Sequence, residues 1–167
     1  PYTTLFRSIS GFSVDPERAK EIDFTDSYYI DDQAIAVMGD SAITEENADA
    51  ELNKEGVIIA VQTGTTGEDY VLENFPNATV QGYGNSTDSF AAMQSGQANA
   101  VCTNKTVVET MLANAYKDAK IIKAIATGEE YAMIVSQDNP ALTAAINEAL
   151  GKMKADGTID KLIEQYM

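Results

Sequence analysis

The sequence predicts an α/β protein with a mostly parallel sheet and helices on both of its faces. Two observations carry this. Between Val57 and Ala124, short apolar runs alternate with helix-length stretches. Turns rich in Gly, Thr, Asn and Pro separate them, the pattern expected of strand–helix–strand units. The last third instead shows apolar residues at a 3.6-residue period, which predicts helices.

The elements follow in order. Asp15-Pro16-Glu17-Arg18-Ala19-Lys20-Glu21 reads as a short helix start, with Asp15 as N-cap, Pro16 at the first helical position and Glu17 at the positive end of the dipole. Asp23 to Asp32, rich in Asp and Tyr, predicts irregular chain. Gln33 to Met38 predicts a strand. Gly39 to Asn53 reads as an acidic loop with one helical turn near Leu52. Val57 to Gln62 is a buried strand. Thr63-Gly64-Thr65-Thr66-Gly67 then opens a helix that runs to Phe75 and stops at Pro76. Ala78 to Tyr83 predicts a strand, Thr87 to Ser95 a helix closed by Gly96, Ala98 to Thr103 a strand, and Lys105 to Tyr116 a helix. Lys120 to Ala124 and Glu130 to Val135 read as two further strands. Asn139-Pro140 caps a helix with Leu142, Ile146, Leu150 and Met153 on one face. Gly157 ends it, and Thr158 caps a last helix carrying Ile159, Leu162, Ile163 and Tyr166.

Composition excludes several function classes. With 11 Lys and Arg against 26 Asp and Glu among 167 residues, the formal charge is -15. Such a field repels phosphate backbones, so no nucleic-acid partner is expected. There is no histidine and a single cysteine, which removes histidine triads, histidine metal sites and intrachain disulfides. No cofactor, metal or catalytic residue is expected. Cys102 lies in a buried-strand pattern and reads as a small core hydrophobe. Glu45-Glu46 and Glu129-Glu130 read as solvated loop charges. No run approaches the ~20 apolar residues of a membrane span. Pro1 to Ser8 have no hydrophobic period and look like a translated sequencing adapter, so they are set aside from fold reasoning.

Three local patterns could hold a ligand. The Gly64–Gly67 turn puts small residues and two hydroxyls at a helix N-terminus, where free N–H groups favour an anion. The same pattern also fits plain capping of a core helix. It is not a phosphate loop of the Gly-Lys-Ser/Thr type. Ser10-Gly11-Phe12-Ser13 followed by Arg18 pairs a small-residue loop with a guanidinium fork that matches a carboxylate. Pairing of Arg18 with Glu17 or Glu21 is the plainer alternative. Asn104 stands at the C-terminal edge of a buried strand, where open α/β sheets place ligands, or else caps the helix that follows. Tyr28, Tyr29 and Tyr83 could give apolar walls or simply pack.

Taken together, five segments resemble the extracellular solute-binding proteins of the polar amino-acid uptake class. They are Ser13 to Tyr29, Val61 to Tyr70, Ser95-Gly96-Gln97-Ala98-Asn99-Ala100-Val101 (the family's Gly-Gln-x-Asp-Ala-Val), Glu130 to Val135, and Asp156-Gly157-Thr158-Ile159-Asp160-Lys161-Leu162. The resemblance implies a type 2 periplasmic-binding-protein fold, in which two lobes joined by hinge strands clamp a ligand. Residues 39–133 would form lobe 2. Residues 9–38 and 134–167 would form the rest of lobe 1, with crossings near Met38 and Met133. The opening strands of lobe 1 would precede Ser10. Without them Leu142, Ile146, Leu150 and Ile163 would have little to pack against, and the fragment would be poorly stable.

The resemblance also implies the function: the substrate-binding component of an ABC importer, taking an amino acid or similar carboxylate to a membrane permease. The protein would be extracytoplasmic, in the periplasm or lipid-anchored at the cell surface, and a monomer. Ser10, Gly11, Ser13 and Arg18 would hold the ligand carboxylate from one lobe, and Thr65 and Thr66 from the other. Two positions depart from the family, which has Asp at Asn99 and at Asn104. The second Asp receives the ligand's α-ammonium, and a neutral Asn104 gives no ion pair there. Two other classes remain open: an enzyme on the same scaffold, such as a dehydratase relative, and a ligand-sensing ectodomain.

Overall fold

A computed structural model describes residues 7–166, so Pro1 to Phe6 of the adapter-like stretch, and Met167, lie outside it. The backbone divides into two units. One takes the chain up to Asp31 and from Gly128 onward, and the other runs Asp32–Thr127. The chain passes from one unit to the other between Asp31 and Asp32 and between Thr127 and Gly128, earlier on both sides than the crossings expected near Met38 and Met133.

The second unit is a five-stranded sheet. Its strands are β3 (Tyr29–Met38, which begins in the other unit), β4 (Ile58–Gln62), β5 (Thr79–Tyr83), β6 (Ala100–Asn104) and β7 (Ala119–Tyr131, which ends in the other unit). They are ordered β5-β4-β6-β3-β7. β4 pairs in parallel with β5 and β6, whereas β3 runs antiparallel to β6. The parallel trio follows from the helices in the crossovers, α2 (Thr66–Asn74) and α3 (Ser86–Gln94), since parallel neighbours need long connections. α1 (Ala48–Leu52) and α4 (Lys105–Asn114) complete this unit.

Both sheet faces are covered, which is why the strands read as continuous apolar runs. Successive strand residues point to opposite faces, and the core splits accordingly. Ile35, Val37, Ile59, Val61 and Cys102 pack with Leu52 of α1, Val71 of α2 and Phe75. Ala34, Ala36, Ala60 and Val101 pack on the other face with Phe90 and Met93 of α3 and Val108 of α4. Cys102 is fully buried, as its apolar flanks predict.

The first unit holds a three-stranded antiparallel sheet in the order β1-β8-β2, made of β1 (Arg7–Ser8), β2 (Ile22–Phe24) and β8 (Ile134–Ser136). Arg7 and Ser8 pair here through their main chain, which demands no particular side chain. α5 (Pro140–Ala155) packs on β8 and β2, and α6 (Thr158–Tyr166) packs on α5. Pro140 occupies the first turn, and the Asn139 side chain accepts from the Leu142 N–H at 3.3 Å, as the sequence predicts.

Four expectations change. The helix start at Asp15 is only a 3-10 turn, Arg18–Lys20. Asp15 does cap it, accepting from the N–H groups of Glu17 and Arg18 at 2.9 Å each, but no residue of the turn is buried, so nothing extends it. The stretch from Asp23 to Asp32 is mostly strand, because β2 finds β8 and β3 starts at Tyr29. The strands expected at 120–124 and 130–135 are instead one long strand, β7, and the shorter β8. In α5, Leu150 is only 2% exposed and therefore does find a core.

Candidate functional site

The sequence-predicted residues fall into two groups, one in each unit. In the second unit, β4 and β6 run parallel with Val61 opposite Cys102, so their C-terminal ends emerge at one edge of the sheet. Gln33, at the start of the buried part of β3, lies opposite Asn104. Thr65 is the N-cap of α2: its hydroxyl accepts from the Glu68 N–H at 3.4 Å and donates to the Gln62 carbonyl at 2.7 Å. The Glu68 carboxylate reaches back to the Gly64 N–H at 2.7 Å, a reciprocal cap. Gly64 has φ +75°, a conformation that side chains disfavour. Gly67 brings the helix against the strands: a Cβ there would stand 3.0 Å from Gln33 Oε1 and 3.4 Å from the Cys102 carbonyl.

Thr66 accepts a hydrogen bond from Gln33 Nε2 at 3.1 Å. Asn104 occupies the N-cap position of α4 but makes no side-chain cap bond, and its Nδ2 is buried without a hydrogen-bond partner. A buried amide nitrogen left so is costly, about 1–3 kcal/mol. Ser86 links Gln62 at 3.1 Å and Thr103 at 3.3 Å along the same edge. Gln33, Thr65, Thr66 and Asn104 thus form one polar patch on the sheet edge at a helix N-terminus.

Sequence reasoning missed Gln33. Its signal was a Gln heading the apolar run Ala34-Ile35-Ala36-Val37; at 1% exposure such a residue must have a polar neighbour.

In the first unit, Gly11 and Ser13 lie against Tyr131, and Ser10 meets Tyr28. Gly11 lies against the Tyr131 ring, where a Cβ would come within 3.1 Å. The Ser10 carbonyl accepts from the Tyr28 hydroxyl. Ser13, 5% exposed, bridges Tyr131 in the sheet, and its hydroxyl donates to Glu129. Glu129 is therefore a bonded member of β7 rather than a solvated loop charge. Arg18 is half-buried in the turn that Asp15 fastens. Its neighbour Glu17 is engaged by Lys20.

Tyr131 donates to the buried Asp31 at 3.1 Å. Burial, then the Asp31 charge, then that hydrogen bond push the Tyr131 hydroxyl well above its ordinary 10.0. The folded state therefore holds this proton more tightly than the unfolded chain does. The resulting stabilisation is complete below pH ~10 and is lost as pH rises through the alkaline range. Urea midpoints should fall more steeply above pH ~10 in the parent than in Tyr131→Phe. Parallel slopes would remove Tyr131 as the cause.

No group of three or more His, Cys, Asp or Glu among the described residues could hold a metal, and no described helix is long and apolar enough to cross a membrane. The sheet edge thus carries hydroxyls, side-chain amides and a helix N-terminus side by side. Residues 8–167 match the family of bacterial extracellular solute-binding proteins, family 3, and the chain belongs to it. It is 31% identical over 160 residues to an ABC transporter glutamine-binding protein of Bacillus subtilis, covering 95% of this chain and 56% of that one. It is 28% identical over 162 residues to ABC transporter arginine-binding protein 1 of Escherichia coli, covering 95% and 64%. Among solved structures, an arginine transport system periplasmic binding protein from Legionella pneumophila superposes with a TM-score of 0.86 at 28% identity, over 96% of this chain and 72% of that one. The ancestral amino acid-binding protein AncCDT-1, described as a precursor of cyclohexadienyl dehydratase, gives 0.83 at 33% identity, over 96% and 67%. The fold is that of the type 2 periplasmic binding proteins. The chain spans little more than half to about two thirds of the length of these curated relatives.

Proposed function

We propose that the chain is the larger part of the substrate-binding component of an ABC importer and serves to bind an amino acid. The two units are its lobes, and β3 and β7 are the strands that cross between them. Thr65, Thr66 and the first turn of α2 bind the ligand carboxylate from one lobe, and Ser10, Gly11, Ser13 and Arg18 bind it from the other. The partner is a membrane permease, and the protein works as a monomer outside the cytoplasmic membrane, in the periplasm or lipid-anchored. The observation that carries this reading is the Gln33–Thr66–Asn104 patch at the α2 N-terminus, in a chain whose relatives are named for glutamine, arginine and cystine.

The Ser13 hydroxyl gives its one proton to Glu129. Ser13 therefore serves the ligand through its main chain, while Arg18 supplies the charge. Asn104 is where the ligand's ammonium arrives, and its Oδ1 accepts without an ion pair.

Calorimetric titration with a panel of amino acids, on the chain extended to its relatives' length, tests this. Saturable binding of at least one α-amino acid is expected. Asn104→Asp should tighten that binding about tenfold, or ~1.4 kcal/mol, by adding a charge-assisted bond. Weaker binding in Asn104→Asp would mean that this position faces something other than a cation.

A further inference from the structure

Polar side chains at the ends of β4 and β6 fall on both faces of the sheet. Gln33 and Asn104 are in phase with Ile35 and Cys102, so they stand on the α2 face, where Thr66 joins Gln33. Gln62 and Thr103 are in phase with Ala60 and Val101 and stand on the opposite face, beside Ser86 at the start of α3. Asn104, assigned above to the ligand's ammonium, therefore follows directly on this second row, across one strand end.

The row has a direction. The Ser86 hydroxyl stands 3.1 Å from Gln62 Oε1 and 3.3 Å from Thr103 Oγ1. Thr103 is only 5% exposed, and Ser86 is the one hydrogen-bond partner of its hydroxyl among the described residues. A buried hydroxyl proton needs an acceptor, so Thr103 donates to Ser86 and Ser86 donates to Gln62 Oε1. Turning the Gln62 amide over would break this relay. Either the Thr103 proton would be buried with no acceptor, or the Ser86 proton would have none in the row. The half-buried Gln62 is thus held with its oxygen inward. Its Nε2 makes no hydrogen bond among the described residues and is not sealed from solvent.

We infer that Ser86 is a positioning residue for ligand selection. Through Gln62 it presents N–H donors to the ligand's side chain, so the site takes an amino acid whose side chain ends in an uncharged acceptor, a carboxamide, and rejects cationic side chains. This rests on the amino-acid reading above and narrows its substrate class. A guanidinium or an ammonium carries only donors and would meet the Nε2 hydrogens donor to donor. The chain's charge of -15 attracts cations at long range, but salt screens that field over ~8 Å, whereas the donor conflict acts at contact. A side-chain carboxylate would accept from Nε2 but would find no cation in the row to offset its desolvation.

Calorimetric titration of the chain extended to its relatives' length, with glutamine, asparagine, glutamate, arginine and lysine, tests this. The parent, Ser86→Ala, Ser86→Thr and Gln62→Glu share one extension, so differences among them report on this row. The parent should bind the better carboxamide at least ~tenfold more tightly than either cationic amino acid. Ser86→Ala should shrink that ratio about fivefold, the weight of one hydrogen bond, and Ser86→Thr should restore it. A merely structural role for Ser86 would weaken all ligands alike and leave the ratio unmoved. Gln62→Glu should reverse the order, because its oxygens accept from the donors that Nε2 opposes. A parent that binds amino acids but prefers arginine, lysine or glutamate would overturn the proposal and leave the amino-acid reading standing, as would an unmoved ratio in Ser86→Ala. Binding of no amino acid would overturn both.

Discussion

Arg18→Ala in the chain extended to its relatives' length is expected to weaken amino-acid binding by more than about tenfold. The argument is one of charge and geometry. A guanidinium presents a planar fork that a carboxylate matches with two hydrogen bonds, and losing one partner of a buried charged contact costs about 2–5 kcal/mol. The turn that carries Arg18 is fixed by Asp15, which accepts two main-chain hydrogen bonds at 2.9 Å, so the side chain starts from an ordered backbone. Arg18→Lys should recover only part of the affinity, because an ammonium keeps the charge but not the fork. Calorimetry on the three proteins checks this. Equal affinities for parent and Arg18→Ala would assign Arg18 to the surface and remove the carboxylate clamp.

The second large effect is on stability. Phe90→Ala should destabilise the Asp32–Thr127 unit by about 3–5 kcal/mol. Phe90 is fully buried, and its ring lies 5.0 Å from that of Tyr116 at an interplanar angle of 38°. Around it are the short side chains Ala34, Ala36 and Ala60, which cannot move in to fill the space. A cavity left there stays largely open, which places the cost at the upper end. Urea unfolding followed by amide exchange in β4 and β6 gives the measurement. A loss below about 1 kcal/mol would mean that this face of the sheet repacks freely.

How far the sequence foretold this structure depends on whether each signal was local. The stretch from Val57 to Ala115 was legible because each element carries its own boundary: Thr65 capping α2, Pro76 after it, Gly96 after α3. Strands β2 and β8 were not legible in this way. Ile22–Phe24 becomes a strand by pairing with Ile134–Ser136, more than a hundred residues away, and no local pattern in an Asp- and Tyr-rich stretch announces that. β7 was read as two pieces because Gly128 interrupts its apolar pattern; the chain passes through that glycine at φ +59° and remains one strand. Within the polar patch, the positions of Thr65, Thr66 and Asn104 after buried strands were legible. Gln33 was not, since its role depends on the crossover that carries Thr66 back to β3. The Ser13–Glu129 bond likewise joins residues far apart in the chain.

The central claim is that the ligand's carboxylate is the group held by Arg18 together with the α2 N-terminus. The most direct measurement compares, on the extended chain, the affinities for one amino acid and for its carboxamide, which keeps the ammonium and side chain but has no carboxylate charge. The account predicts that the carboxamide binds at least ~100-fold more weakly, about 2.7 kcal/mol, and that Arg18→Ala narrows this gap. Equal affinities for the two ligands would contradict it.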